Sequence, residues 1–410
     1  MKTILVLVML FFWSMLIYYS YLTIVGIMQR MKARKDIKLD FYPSVAVLIP
    51  AHNEEVVIKD TLDAMVKLEY PGALNVYLLD DASSDHTAKI VQAFGRTFSR
   101  IHYVKVPPGS PKGKSRVLNY GLSITNSDYF VVFDADNQPE PNAVIELVHA
   151  AATTKDAAGA VGYVKTINAD TNILTRMIAL EFQVFQLLMQ SGRWRAFKTG
   201  SLAGTNMLLK RDILEKAGGY DPYALAEDAE LTVRLTAMGY TLPVVHHSHT
   251  WEQEPERITT FVRQRTRWLT GNLYLLEKSF HEWKFWKGKT FVHSMQHVLT
   301  YFFFVVLLLF SNTWFIMSLI GYDLPDFESP LLLFWFMSYV VYTAQIISAM
   351  VLEKTITPFN VFIGLIMYFT YAQIFLLLLL RSGSAYIWSR ITRKAIAWDK
   401  TKRFKKGEAA

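Results

Sequence analysis

The chain has 410 residues, 52% of them hydrophobic, a formal net charge of +8 and no cysteine. The length allows two or three domains, and the lack of cysteine excludes disulfides and thiolate metal sites without naming a compartment. The apolar excess lies in a few long runs, which excludes an ordinary soluble enzyme and predicts a membrane protein with one soluble domain.

Thr3 to Gln29 carries no charge and is rich in Leu, Val, Phe and Tyr. It is longer than a signal-peptide core and no small-residue cleavage site follows it, so it reads as a retained span. Three more uncharged runs, Thr290–Tyr322, Ser329–Leu352 and Thr355–Leu380, also exceed the ~20 residues that cross a bilayer core. Arg30, Lys32, Arg34, Lys35 and Lys38 follow the first run. The positive-inside rule therefore puts the soluble domain in the cytoplasm and the N-terminus outside. A second basic cluster, from Arg390 through Arg393, Lys394, Lys400, Lys402, Arg403 and Lys405 to Lys406, ends the chain. Beside an apolar run it predicts contact with anionic lipid headgroups rather than nucleic acid. One span before the domain and three after it would leave this tail outside, against the same rule. One C-terminal segment is then re-entrant or interfacial, or the tail is an exception. The division expected is a span at 1–29, a cytoplasmic domain at 44–255, an interfacial region at 256–289, C-terminal spans at 290–381 and a basic cytoplasmic tail at 382–410, in a multi-pass cell-membrane protein.

The soluble domain alternates strand-like and helix-like runs. Val45–Pro50 precedes a helical pattern over Glu55–Leu68. Val76–Leu79 ends in Asp80-Asp81, and Ser84 or Asp85 starts the next helix. Ile101–Val106, a helix over Lys114–Leu122 and Tyr129–Phe133 follow. Apolar runs separated by helices predict an α/β doubly wound domain with a parallel sheet. Ligands of such sheets bind beyond the carboxyl ends of the strands. There the sequence gathers Asn53 and Glu54, then Asp80, Asp81 and Asp85, then Asp134 and Asp136. Any one of these carboxylates reads as a cap or turn. The set repels itself unless a cation or donor groups compensate, and a hard divalent ion with oxygen ligands is the natural compensator. In extended backbone Asp134 and Asp136 share a face, where they hold a metal and a ligand together.

Seven ordered motifs now stand together: Pro50-Ala51-His52-Asn53-Glu54, Asp80-Asp81-Ala82-Ser83-Ser84-Asp85, Lys112-Gly113-Lys114 with Asn119, Asp134-Ala135-Asp136, Ala203-Gly204-Thr205-Asn206, Glu227-Asp228 and Gln264-Arg265-Thr266-Arg267-Trp268. Over residues 44–275 the chain resembles the family 2 glycosyltransferases, in particular the processive membrane synthases of cellulose, hyaluronan, chitin and poly-N-acetylglucosamine. The resemblance implies a GT-A fold, a UDP-sugar donor and Mn2+ or Mg2+. It implies that Asp81 meets the uridine, with Asp80 or Asp85 supporting that loop, and that Lys114 approaches the nucleotide. Asp134 and Asp136 would meet the diphosphate, Asp136 most directly on the metal. Gly204 and Thr205 would lie at the acceptor. Asp228, by itself a carboxylate favoured at a helix N-terminus, would be the base that deprotonates the acceptor hydroxyl, ahead of Glu227. Gln264, Arg267 and Trp268 share a helix face by spacing; the resemblance puts Gln264 and Arg267 on the donor and Trp268 under the acceptor sugar. The same helix carries an apolar stripe of Ile258, Phe261, Val262 and Leu269, suiting it to a membrane surface.

Asn172–Gln190 carries polar residues at Asn172, Arg176, Gln183, Gln186 and Gln190, a narrow stripe on an otherwise apolar helix. Its apolar breadth predicts a helix in the membrane interface. His247 and His249 alternate onto one face, but no companion ligands make a zinc site. Trp251 and Glu252 are weaker candidates for the acceptor groove. The function expected is inverting polymerisation of N-acetylglucosamine or another hexose into an exported polysaccharide. The alternatives are transfer of one sugar to a lipid acceptor, and an inactive membrane scaffold. The partners expected are the UDP-sugar, the growing polysaccharide or lipid acceptor and membrane lipids, with room for a small membrane accessory subunit.

Overall fold

Strand β1 (Val45–Ala51) is apolar throughout, and its alternation divides the domain into layers. Val45, Val47 and Ile49 enter one core with Ile58, Leu62 and Met65 of α2 (Ile58–Met65), Val91 of α3 (Thr87–Thr97) and Val144, Leu147 and Val148 of α5 (Ala143–Thr153). Ala46 and Leu48 enter the opposite core with Val117, Leu118 and Leu122 of α4 (Lys114–Ser123), Ile213 and Leu214 of α8 (Arg211–Lys216) and Leu231 and Leu235 of α9 (Glu227–Ala237). Helices thus cover both faces of one sheet, each fully buried Val or Leu contributing about 1.5–3 kcal/mol. The computed structural model describes residues 2–32, 38–299 and 328–392, with positions 309, 312–313, 316–317 and 320–321.

The sheet has eight strands in the order β3-β2-β1-β4-β7-β6-β8-β5. Here β2 is Leu74–Asp80, β3 Ile101–Lys105, β4 Tyr129–Val132, β5 Gln138–Pro139, β6 Gly159–Thr166, β7 Met207–Lys210 and β8 Val244–Glu252. The first four strands pair in parallel, as the apolar runs predict. The second half corrects the expectation of a parallel sheet, because β7 runs antiparallel to both β4 and β6. β7 brings its own N-terminal end, with Gly204 and Thr205 before it, next to the C-terminal end of β4.

The segment at 172–190 departs from the simple interfacial helix. Asn172 caps α6 (Ile173–Gln183) through a reciprocal hydrogen-bond box with Thr175, and a wider π-turn over Val184–Gln190 leads into α7 (Ser191–Phe197). The polar stripe is used inward: Gln186 accepts from Val164 N at 2.8 Å and donates to Val164 O at 2.9 Å. The segment lies between the sheet and the apolar helices. Met177, Ile178 and Leu180 pack with Phe261 of α10 (Ile258–His281), Ile346 of α12 (Glu328–Glu353), Ile363 of α13 (Pro358–Met367) and Leu378 of α14 (Tyr371–Thr392). The N-terminal helix α1 (Lys2–Arg30) docks on α7 so closely that a Cβ at Gly192 would stand 2.3 Å from Leu22 O.

By length and composition three described helices suffice to cross a membrane: Val6–Arg30, Leu333–Glu353 and Tyr371–Thr392. The run Thr355–Leu380, read as one span, is divided between α13 and α14; α13 has 10 residues and rises about 15 Å, half a bilayer core. The short helix α11 (Gly288–Val298) opens the run at 290–322, about half of which lies outside the described residues, as do Arg34, Lys35 and residues 393–410.

Candidate active site

Two clusters form beyond the strand ends. The first is built by β1 and β2. Asp80 is buried; its Oδ1 accepts from Ser83 N at 2.9 Å and its Oδ2 from the Tyr103 hydroxyl at 2.7 Å. Burial, then this carboxylate, pushes the Tyr103 phenol up to about 12. Asp80 therefore shapes the loop. Asp85 caps the next turn, accepting from Thr87 N at 2.9 Å and Glu55 N at 3.1 Å. Asp81, half-buried, pairs with Arg116, which also donates to Pro107 O at 2.7 Å. Arg116 was not predicted from the sequence; the signal was a second cation two residues after Lys114 in the first turn of α4.

The second cluster holds the remaining acids. Asp134-Ala135-Asp136 lies in a turn closed by Asn137 N to Asp134 O at 3.0 Å, not in the extended backbone expected. The strand stops at Val132, and both carboxylates sit in the turn that follows it. Asp134, a third exposed, accepts from Lys114 Nζ at 2.6 Å. Asp136 is buried against the end of β8, where Gln253 N approaches its Oδ2 at 3.3 Å. Thr205 is buried between these turns, accepting from Asp134 N at 3.1 Å and donating to Asn137. Its hydroxyl thus ties the turn at Asp134 to the segment before β7.

Lys114 is the hub. Beyond Asp134 it donates to Gly204 O at 2.7 Å and lies 3.5 Å from Glu227 Oε1. Burial works against its charge, but Asp134 and then Glu227 outweigh burial and raise its pKa. Gly204 has φ +75°, and a Cβ there would lie 3.5 Å from Asp228 Oδ2 and 3.8 Å from Lys114 Nζ. Asp228 stands in the first turn of α9 and accepts from Ala229 N at 2.8 Å. Burial first, then neighbouring Glu227, pushes its carboxyl up to about 7.

α10 closes the site. A Cβ at Gly271 would stand 2.6 Å from the Ala226 Cβ, so α10 lies directly against the entry to α9. Lys278 ties the same helices, bonding Asp221 at 2.9 Å and buried Glu230 at 2.7 Å. Gln264 is buried and Arg267 half-buried on the first half of α10. Trp268 stacks on Phe182 with centroids 6.3 Å apart, and the Arg265 guanidinium sits 4.5 Å from the indole centroid. Arg265, to which the sequence reading gave no role, is buried and bonds Glu181 at 2.6 Å. His249 is tied to Glu140 at 2.9 Å.

Asp134 and Asp136 offer a hard divalent ion two oxygen donors. Among the described residues no group of three His, Asp or Glu side chains is placed to hold a metal ion by itself. A pair of carboxylates completed by diphosphate oxygens is the donor set that Mg2+ or Mn2+ takes, so the residues fit.

Residues 43–271 match the family described as glycosyltransferase like family 2. The chain belongs to that family. It is 39% identical over 402 residues to the probable glycosyltransferase YdaM of Bacillus subtilis (strain 168), 96% of each chain being covered. It is 29% identical over 231 residues to a beta-monoglucosyldiacylglycerol synthase of Trichormus variabilis, covering 56% of this chain and 49% of that protein. It is 25% identical over 236 residues to the poly-beta-1,6-N-acetyl-D-glucosamine synthase of Staphylococcus epidermidis, covering 58% of this chain and 56% of that protein. The chain thus spans about half the length of these last two relatives. Among solved structures it is similar to the mannosyltransferase PcManGT from Pyrobaculum calidifontis in complex with GDP-Man and Mn2+, with TM-score 0.61, 18% identity and coverage of 94% of this chain and 99% of that one. The fold is GT-A-like and the chain is a glycosyltransferase.

Proposed function

We propose that this family 2 enzyme transfers sugars, with inversion, from a UDP-sugar to the end of a growing polysaccharide, N-acetylglucosamine being the first sugar to test. One observation carries the reading: at Gly204 the Lys114–Asp134 pair meets Asp228, a carboxyl whose pKa lies near neutrality. The two halves of a displacement are thereby adjacent. Asp228 takes the proton of the acceptor hydroxyl, whose oxygen bonds to the anomeric carbon. The bond from that carbon to the diphosphate oxygen breaks, and the electron pair leaves with the diphosphate. Lys114 and Arg267 supply positive charge to the leaving group. Asp134 and Asp136 would hold a divalent cation, which when bound stabilises the same charge. Asp81 and Arg116 frame the end of the site where the nucleotide base would lie, and Trp268 offers a ring to the acceptor sugar.

Transfer of a single sugar to a lipid is the second reading, favoured by the match to the diacylglycerol synthase and by the apolar helices beside α10. The test is transfer by purified protein in lipid, offered radiolabelled UDP-N-acetylglucosamine, UDP-glucose or GDP-mannose with Mn2+ or Mg2+. The expected product is a polymer. A lipid bearing one sugar selects the second reading. Unchanged turnover in both Asp228→Asn and Asp136→Asn overturns the site.

A further inference from the structure

Polar contacts fix where the C-terminal helices return to the catalytic domain. At the end of α12, Glu353 pairs with Lys165 of β6 at 2.7 Å. At the start of α14, the Tyr371 hydroxyl donates to Glu181 of α6 at 2.6 Å, the carboxylate that also receives Arg265 of α10. At the far end of α14, Arg390 pairs with Glu277 of α10 at 2.8 Å, and Tyr386 donates to the same carboxylate. The two helices therefore run side by side in one direction. From Arg265 to Glu277 α10 rises about 18 Å, and from Tyr371 to Tyr386 α14 rises about 22 Å. α10 starts at the catalytic residues and carries Arg263, Arg265, Arg267, Glu277 and Lys278, so it is not a span. A helix held to it at both ends does not cross either, although its length and composition allow it.

We propose that α14 is a membrane-surface helix, lying in the headgroup boundary of the bilayer beside α10 and returning the chain to the catalytic side. Its outward face fits a lipid surface. Leu377, Leu380, Ile387, Trp388 and Ile391 are exposed at helical spacing, while Leu378 and Ser382 turn inward. Arg381 and Arg390 flank this stripe, and exposed Trp283, Lys284 and Lys287 follow the end of α10. Apolar residues with Trp and basic side chains at their margin are what an anionic headgroup layer holds. The inference removes the conflict between the span count and the basic tail, since the C-terminal cluster then stays on the side of the catalytic domain.

The chain contains no cysteine, so single-cysteine variants report without background. Thr392→Cys and, as the reference in the catalytic domain, Ser123→Cys are treated with a membrane-impermeant maleimide in intact cells and in inverted vesicles. Both are expected to react from the same face. Reaction of Thr392→Cys from the opposite face, or equally from both while the reference reacts from one, overturns the proposal. Independently, spin labels at Leu377→Cys, Leu380→Cys, Ser384→Cys, Ile387→Cys and Ile391→Cys are read for depth in vesicles containing anionic lipid. These positions are exposed, so substitution leaves the packing intact. One shallow depth for all five is expected. A spanning helix would instead change depth by about 21 Å along them and pass the bilayer centre, which would overturn the assignment. Neither readout depends on which sugar is transferred.

Discussion

In the proposed mechanism Asp228 and Lys114 act through their charges, and each gives a pH signature. A base acts when deprotonated, so with Asp228 raised to about 7 the rate is expected to fall as pH drops through that value. Asp228→Asn should lower kcat by roughly 10²–10⁴-fold, the range for one general base, measured as initial rates at saturating donor. The linkage has the opposite sign. A carboxyl raised in the folded state lends stability that is complete below its unfolded pKa and is lost as pH rises from there through about 7. At pH 8, therefore, Asp228→Asn should melt higher than the parent while turning over more slowly. Lys114 holds the Asp228 pKa down, although burial and Glu227 prevail. Lys114→Met should then move the acidic limb of kcat/KM to higher pH, by about one unit for loss of a nearby opposite charge, and raise the donor KM. A pH profile that stays in place would show that Lys114 does not act on Asp228.

Elements meet this site through close approaches, and these explain what the sequence could and could not show. Strand β1, strand β2 and the acids behind them were legible, because continuous apolar runs ending in carboxylates have few other meanings in an α/β sheet. The antiparallel β7 was not, since four residues of Met207–Lys210 carry no sign of direction. The turn at Asp134-Ala135-Asp136 was hidden for a similar reason: alternation reads alike in a strand and in the turn that ends it. The place of Arg265 was not legible because its partners, Glu181 and Tyr371, are both far away in sequence. Gly271 was silent too, its importance resting wholly on Ala226 opposite. Gly271→Ala places a methyl 2.6 Å from that residue's Cβ, so α10 must shift from α9. Overpacking of this kind costs about 1–3 kcal/mol, and a shift of the Gln264–Trp268 face should cut kcat/KM more than thermal stability. Gly383→Ala is the control, having nothing within 4 Å of the added methyl. Equal behaviour of the two variants would remove α10 from the site.

At the scale of the whole molecule, the catalytic domain and its apolar helices are fastened at separate places: α1 on α7, Glu353 on Lys165, and α14 along α10. The net charge of +8 is carried in part by exposed cations at this boundary, among them Lys32, Lys284, Lys287, Arg381 and Arg390. Each basic residue near an anionic surface contributes about 1 kcal/mol, and the attraction decays within a Debye length of about 10 Å at 0.1 M salt. Turnover is accordingly expected to be higher in vesicles containing phosphatidylglycerol than in purely zwitterionic ones. The advantage should shrink as salt rises from 0.05 to about 0.5 M, where the Debye length contracts toward 4 Å. Charge reversal at Lys284 and Lys287 together should remove much of the lipid preference. Neither side chain touches Lys114, Asp134 or Asp228, so turnover in zwitterionic lipid should stay near the parent's. A lipid preference that survives both high salt and charge reversal would place its origin in the apolar helices instead.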